Sequence, residues 1–216
     1  MTRSWIASVL LAIFALPVEA DNVAAQTVVR TWRFDVSLDD KPIGEHEFTA
    51  ATKNDLVEVQ SRARFAVNVL LVPVYRYEHT SREVWRDGCL ISIDAQTRQN
   101  GTVSSVRGTA SGDRFELIGP FGPTTLEGCV KTFAYWDSRF LLEKRLLNAQ
   151  TGEYQAITTT DRGRDTRVVA GRAREATRHT LTADSLQIDL WYSPEGEWLG
   201  LESVTVDGRR LRYDIR

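Results

Sequence analysis

The sequence lacks the motifs that mark common classes of site. Three histidines and two cysteines occur among 216 residues, and the histidines are too far apart for a zinc-binding motif. There is no phosphate-binding glycine loop, dinucleotide fingerprint or Gly-x-Ser-x-Gly elbow. We therefore expect no metal ion, no cofactor and no residues of a recognisable catalytic motif.

The chain also lacks an excess of charge, glycine or proline. Its formal net charge is −2, which disfavours a nucleic-acid partner. Fourteen glycines and six prolines are too few for a fibrous or disordered chain. With 42% hydrophobic residues, a chain of this length can bury a core without a lattice of disulfides or metal ions.

No hydrophobic run approaches the roughly 20 residues of a membrane-spanning helix. An uncharged stretch at residues 5–16 comes shortly after Arg3 and before the small residue Ala20. This pattern predicts a signal peptide over residues 1–20 and a single β-rich domain over residues 21–216. We expect a periplasmic protein that is soluble after cleavage, with an uncleaved N-terminal anchor as the alternative.

The predicted export affects how the only two cysteines, Cys89 and Cys129, are interpreted. In an oxidising compartment an isolated pair favours a disulfide, and each cysteine follows a glycine that indicates a turn. The alternative is two separate buried thiols. We predict the disulfide.

Apolar residues recur with period two along most of the chain, which is typical of β-strands. The pattern predicts ten or eleven antiparallel strands, and Asn100-Gly101 predicts a two-residue hairpin turn. Between residues 133 and 147 the spacing becomes helical, and Asp137 or Ser138 can cap the start. We predict a mainly β fold, a curved antiparallel sheet or open half-barrel, around one central helix at residues 137–147.

Several segments together resemble a family of exported bacterial proteins without an assigned reaction. They include Trp32-x-Phe34-x-Val36, Ile43-Gly44, Tyr75-x-Tyr77-x-His79-x-x-x-Glu83-x-Trp85 and Phe133-Ala134-x-Trp136-Asp137. The wider pattern resembles the half-barrel of the outer-membrane lipoprotein carrier. That resemblance implies a curved sheet that holds an apolar cavity beneath helical elements.

The strand at residues 74–85 places aromatic and polar side chains on one face. The inward register of this and neighbouring strands predicts a ligand-binding face with a polar part at His46, His79 and Glu83. The other predicted ligand-binding residues are aromatic: Trp32, Phe34, Phe48, Phe65, Tyr75, Tyr77 and Trp85. Two other interpretations stay open, a structural hydrogen-bond network and catalysis with His79 as general base.

These observations favour a binder or carrier of an apolar, lipid-like molecule. The alternatives are a cofactor-free enzyme acting on such a molecule, and an envelope interaction protein whose barrel is filled by side chains. The arginines between Asp161 and Thr180 are best explained as a solvated outer face, and the alternative is a partner at the envelope or membrane surface.

Overall fold

The computed structural model describes residues 26–69, 72–184 and 186–216. The predicted signal peptide lies outside these ranges, and the single-domain organisation stays a prediction. The strands run in chain order as β1 (Val28–Leu38), β2 (Lys41–Lys53), β3 (Leu56–Val69), β4 (Val72–Arg86), β5 (Cys89–Gln99), β6 (Thr102–Ser111), β7 (Arg114–Gly119), β8 (Gly122–Glu127), β9 (Arg145–Leu147), β10 (Tyr154–Ala156), β11 (Thr158–Val169), β12 (Arg172–Ala183), β13 (Leu186–Tyr192), β14 (Trp198–Val204) and β15 (Arg210–Ile215).

Thirteen of these strands form one curved antiparallel sheet, in the order β11-β12-β13-β14-β15-β1-β2-β3-β4-β5-β6-β7-β8. The first strand, β1, therefore lies inside the sheet, between β2 and β15. From β1 the chain winds outward through hairpins to β8 at one edge. Residues 128–157, which we call the crossing segment, lead to the opposite edge, and β11 to β15 wind back to β1. The sheet does not close, because β8 and β11 are not paired.

Alternation along the strands follows the predicted register. On β1 the even-numbered residues Trp32, Phe34, Val36 and Leu38 are buried, while the residues between them are exposed or half-buried. The predicted turn between β5 and β6 is also confirmed, because Asn100 and Gly101 have φ of 50° and 90°. Two consecutive positive φ angles define a type I′ turn, whose twist matches that of the flanking strands.

The predicted central helix is wrong. The crossing segment contains a single 3₁₀ turn at Ser138–Leu142, after which the chain is extended from Glu143 and enters β9. Asp137 caps this turn by accepting a hydrogen bond from the backbone N–H of Arg139. The curved sheet is confirmed, but the chain that crosses its interior is irregular and extended.

The helical spacing was misleading because the crossing segment has apolar neighbours on both sides. The adjacent residues Leu146 and Leu147 are both fully buried, whereas Leu142 is 83% exposed. The backbone hydrogen bonds of the segment join residues that are far apart in sequence: the N–H of Leu147 donates to the carbonyl of Lys131 within the segment, and the N–H of Leu90 on β5 donates to the carbonyl of Val130. Burial on both sides places large apolar residues close together without helical periodicity.

Cys89 and Cys129 form the predicted disulfide, with their Cα atoms 5.1 Å apart. The bond joins the first residue of β5 to the start of the crossing segment. The chain-entropy model gives about 4 kcal/mol of stabilisation for a loop of this length. The disulfide therefore anchors the crossing segment where it enters the interior.

The far end of the β11–β12 hairpin packs on the outer face of β13–β15. Arg167 on β11 is buried there and donates hydrogen bonds to Glu202 on β14 and Asp214 on β15, at 2.7 and 3.0 Å. Its guanidinium also lies 4.4 Å from the ring centre of Trp191. The structure contains, within the described residues, no helix long and apolar enough to cross a membrane.

Candidate functional site

Small side chains occupy the middle of the inward face of β3–β5. Ser61 on β3 is paired with Phe48 on β2 and with Ser81 on β4, and Ser81 is paired with Ala95 on β5. Cross-strand partners lie about 5 Å apart, so small residues in a row leave space above the sheet. This space is an inner cavity of about 220 Å³.

The crossing segment and the strands opposite complete the inner cavity. The crossing segment contributes two groups of residues, 132–136 and 148–150. The strands β13, β14 and β15 contribute a mainly apolar wall that consists of Leu186, Ile188, Leu201, Ser203, Leu211 and Tyr213. The cavity thus has polar and small groups on one side and apolar groups on the other.

Two histidines lie on one rung of the sheet, on either side of Ala63. His46 is joined by hydrogen bonds to the hydroxyl oxygens of Ser61, at 2.7 Å, and Tyr213, at 3.4 Å. Burial, with a smaller effect from His79, lowers the pKa of His46 to about 3. Burial likewise lowers the pKa of His79 to about 4. Both rings are therefore neutral near pH 7.

The bonding of His79 differs from that of His46. Its Nδ1 is joined by a hydrogen bond of 2.9 Å to the hydroxyl of Thr97 on β5. Its Nε2 has no hydrogen-bonding partner among the described residues, although the side chain is 94% buried and lines the inner cavity. This nitrogen is available to a ligand.

Glu83 is the buried carboxyl group of the site. Its Oε2 accepts hydrogen bonds from the indole N–H of Trp85, at 3.0 Å, and from the hydroxyl of Thr132, at 3.2 Å. Its Oε1 has no hydrogen-bonding partner in the described part of the chain. Burial raises the pKa of Glu83 to about 7, against the opposing effect of the two hydrogen bonds. The group is therefore close to its midpoint at neutral pH.

A second space, the outer cavity, adjoins the inner one and has a volume of about 590 Å³. The two cavities share four lining residues: Tyr77, Gln150, Leu211 and Tyr213. The remaining lining of the outer cavity is largely apolar, and its rim includes Val74 and the fully exposed Val206. The outer cavity is thus an apolar mouth in front of a more polar interior.

The predicted site residues divide into three groups. His46, Phe48, Tyr77, His79 and Glu83 line the inner cavity, and Phe65, Tyr75 and Tyr77 line the outer one. Trp32, Phe34 and Trp85 face inward but belong to the packed core and line neither cavity. His79 and Glu83 do not contact each other, and His46 does not reach Glu83. Their role in ligand binding stays a prediction.

Sequence reasoning missed two parts of the site. Ser61 and Ser81 lie in the inward register of strands whose other inward residues are mostly larger, so small residues at matched positions were a readable signal. The lining residues of the crossing segment, such as Thr132 and Trp136, gave no such signal, because their placement depends on contacts distant in sequence. Within the described ranges, no group of three or more histidine, cysteine, aspartate or glutamate residues is arranged to hold a metal ion.

The fold resembles that of a solved bacterial protein. The crystal structure of a beta-barrel-like protein of domain of unknown function DUF1849 from Brucella abortus superposes with a TM-score of 0.66 over 89% of this chain and 96% of that one. The two sequences are 11% identical, so the fold alone is shared. No curated protein matches the sequence.

The barrel-like architecture expected from the family resemblance is therefore confirmed. Residues 34–216 match the model of a family described as Domain of unknown function (DUF6134). This match includes every strand after the first residues of β1, and both cavities. The chain belongs to the DUF6134 family.

Proposed function

We propose that this protein is an exported binder of a lipid-like small molecule, whose apolar part occupies the outer cavity and whose polar end reaches the inner one. The observation that carries the proposal is that His79 and Glu83, two buried residues that line the inner cavity, each have one polar atom, Nε2 and Oε1, without a protein partner in the described part of the chain. Buried polar atoms in folded proteins are nearly always hydrogen-bonded. A ligand with one polar end supplies the missing partner.

The volumes favour a molecule that extends through both cavities. The inner cavity alone, about 220 Å³, is smaller than the roughly 300–1,000 Å³ of ordinary ligand pockets. The outer cavity of about 590 Å³ brings the combined space into that range. An empty polar cavity fills with water, which a ligand of matching polarity displaces. These volumes disfavour a barrel filled only by side chains.

Export is part of the same proposal. The disulfide between Cys89 and Cys129 is of the kind that forms and persists outside the cytosol. The predicted signal peptide supports the same compartment. We therefore place the binder in the periplasm, where its ligand comes from the envelope.

Filling the cavity tests the proposal. Ser81→Leu places a large side chain in the middle of the inner cavity, whereas Thr80→Leu makes the same change on the exposed face of the same strand. Probes with a single polar end should raise the melting temperature of the wild type and of Thr80→Leu. At a hundredfold excess over Kd, the free energy of unfolding should increase by about 2.7 kcal/mol. They should not stabilise Ser81→Leu. If no probe stabilises the wild type or changes its tryptophan fluorescence, the proposal is wrong.

One contact favours a second candidate function, the hydrolysis of a small ester. The hydrogen bond of 2.7 Å between His46 and Ser61 has the nucleophile–base geometry of acyl transfer. However, a histidine with a pKa of about 3 is a weak base, and both residues sit within strands whose backbone N–H groups are used in the ladder. Turnover of activated esters that is abolished in Ser61→Ala would favour this function over simple binding.

A further inference from the structure

We propose that the polar end of the ligand is an ammonium group, held in the inner cavity by the carboxylate of Glu83. This inference rests on the proposed binding function and narrows it to one chemical class. The site would then take an apolar amine, and it would reject an apolar acid of the same shape.

The first argument is the charge balance of the cavity. Among the described residues that line it, there is no lysine or arginine. The titratable groups that line the cavity, apart from Glu83 itself, are His46, His79, Tyr77, Tyr135 and Tyr213. Burial lowers the pKa of each histidine and raises the pKa of each tyrosine, so all five are neutral near pH 7. Glu83 is the one lining group that takes up a charge, and the charge is negative.

The second argument is the geometry of Glu83. Its side chain is 94% buried, and Oε2 already accepts two hydrogen bonds. Oε1 has none within the described residues and belongs to the wall of the cavity. A buried carboxylate is costly unless it is paired, and an ammonium donates hydrogen bonds while cancelling the charge. A ligand carboxylate or phosphate would instead meet an uncompensated negative charge.

The third argument is the aromatic surroundings. Phe133, Tyr135 and Trp136 of the crossing segment line the same cavity, and the rings of Trp136 and Trp85 meet edge to face with centroids 5.6 Å apart. A cation over an aromatic face is stabilised by the ring quadrupole, and more strongly when it is desolvated. A buried carboxylate beside aromatic side chains is a combination that suits an amine.

Matched probes test the inference. Two series, phenylethyl and n-octyl, each with an amine, an alcohol and a carboxylate at the end, are titrated calorimetrically into the mature protein at about pH 8, where the amines are protonated. We expect each amine to bind about tenfold more tightly than its alcohol, as for a buried charged hydrogen bond, and the carboxylates to show no binding. In Glu83→Gln, which keeps an acceptor for Trp85 and Thr132, the amine should bind no better than the alcohol.

The outcomes separate this inference from the proposed function. If alcohols or carboxylates bind the wild type as tightly as amines, the ammonium assignment is wrong while the binding function stands. If no member of either series binds, both fail. Unchanged binding of the alcohol to Glu83→Gln shows that the cavity is intact in the variant. If that variant does not fold, the relative affinities of the amine, the alcohol and the carboxylate for the wild type test the ammonium assignment by themselves.

Discussion

The indole N–H of Trp85 donates a hydrogen bond of 3.0 Å to Oε2 of Glu83, two residues earlier on the same strand. Residues two apart on a strand share a face, so β4 itself supplies both the buried carboxyl group and one of its donors. Thr132 of the crossing segment supplies the other donor. The position of Glu83 is therefore fixed from the sheet and from the segment that covers it.

Glu83 should make the protein less stable at high pH. The pKa of its carboxyl group is about 7 in the folded protein against 4.5 when unperturbed, so the folded state binds more protons between these values. Stability therefore falls as pH rises through this range, by at most about 3 kcal/mol. Glu83→Gln should be more stable than the wild type in urea at about pH 8.5 and similar to it at about pH 4. An exposed control on the same strand, Glu78→Gln, should not reproduce the difference.

The binding of an amine should weaken in acid, if the ammonium assignment is right. Protonation of Glu83 removes the charge that holds the ligand. With a pKa of about 7, affinity should fall about tenfold between pH 8 and pH 6. Titrations of the amine and the alcohol at both pH values measure this. An equal fall for the alcohol would contradict the prediction.

The two buried histidines should cause acid sensitivity. The pKa of His46 is about 3 and that of His79 about 4, against 6.5 when unperturbed, so the unfolded state binds more protons below 6.5. Stability should fall as pH decreases from about 6.5, by at most about 3–5 kcal/mol for each ring. Replacing His79 with Gln should flatten this part of the stability profile. The exposed-strand control Thr80→Leu should retain it.

Loss of the disulfide should loosen the crossing segment. The double change Cys89→Ser and Cys129→Ser removes a link across 40 residues and should cost about 4 kcal/mol in denaturant unfolding. Alkylation of the native wild type without reductant should label neither cysteine. Alkylation of both cysteines in the native protein would show that the disulfide is absent.

Arg167 should hold the β11–β12 hairpin against the outer face of the sheet. Its side chain is 10% exposed and contacts Glu202 and Asp214. Arg167→Met should cost about 2 kcal/mol, because two carboxylates lose a charged donor. Arg164→Met, an exposed change on the same strand, should alter stability by less than about 0.5 kcal/mol. Equal effects of the two changes would show that the contact contributes nothing.

The inward register of the site could be predicted because β2 and β4, which carry its titratable residues, alternate over long stretches. His46, His79 and Glu83 are buried as the period-two pattern requires. The number of strands was underestimated because β7 to β10 are short, and three to six residues leave little alternation to read. The crossing segment could not be predicted, since Leu146 and Leu147 are buried by contacts with distant strands rather than by a local period.

The ion pairs of the arginines between Asp161 and Thr180 could not be predicted from the sequence either. Arg167, Arg174 and Arg178 form ion pairs with the carboxylates of Glu202, Glu197 and Asp189 respectively. Paired in this way, they offer less free positive charge to a membrane surface than their number suggests. A role for them at the envelope stays a prediction.

The pairing of β1 with β15 constrains how the chain folds. Val36 pairs with Tyr213, so a contact in the middle of the sheet joins residues that are 177 positions apart (213 − 36) in the sequence. Hairpins between consecutive strands can form locally, but this junction requires closing a very long loop and is intrinsically slow. Until residues 210–215 arrive, the inner strand β1 presents an unpaired edge that can aggregate. A chain of this topology gains from any factor that shields the edge of β1 until β15 has paired with it.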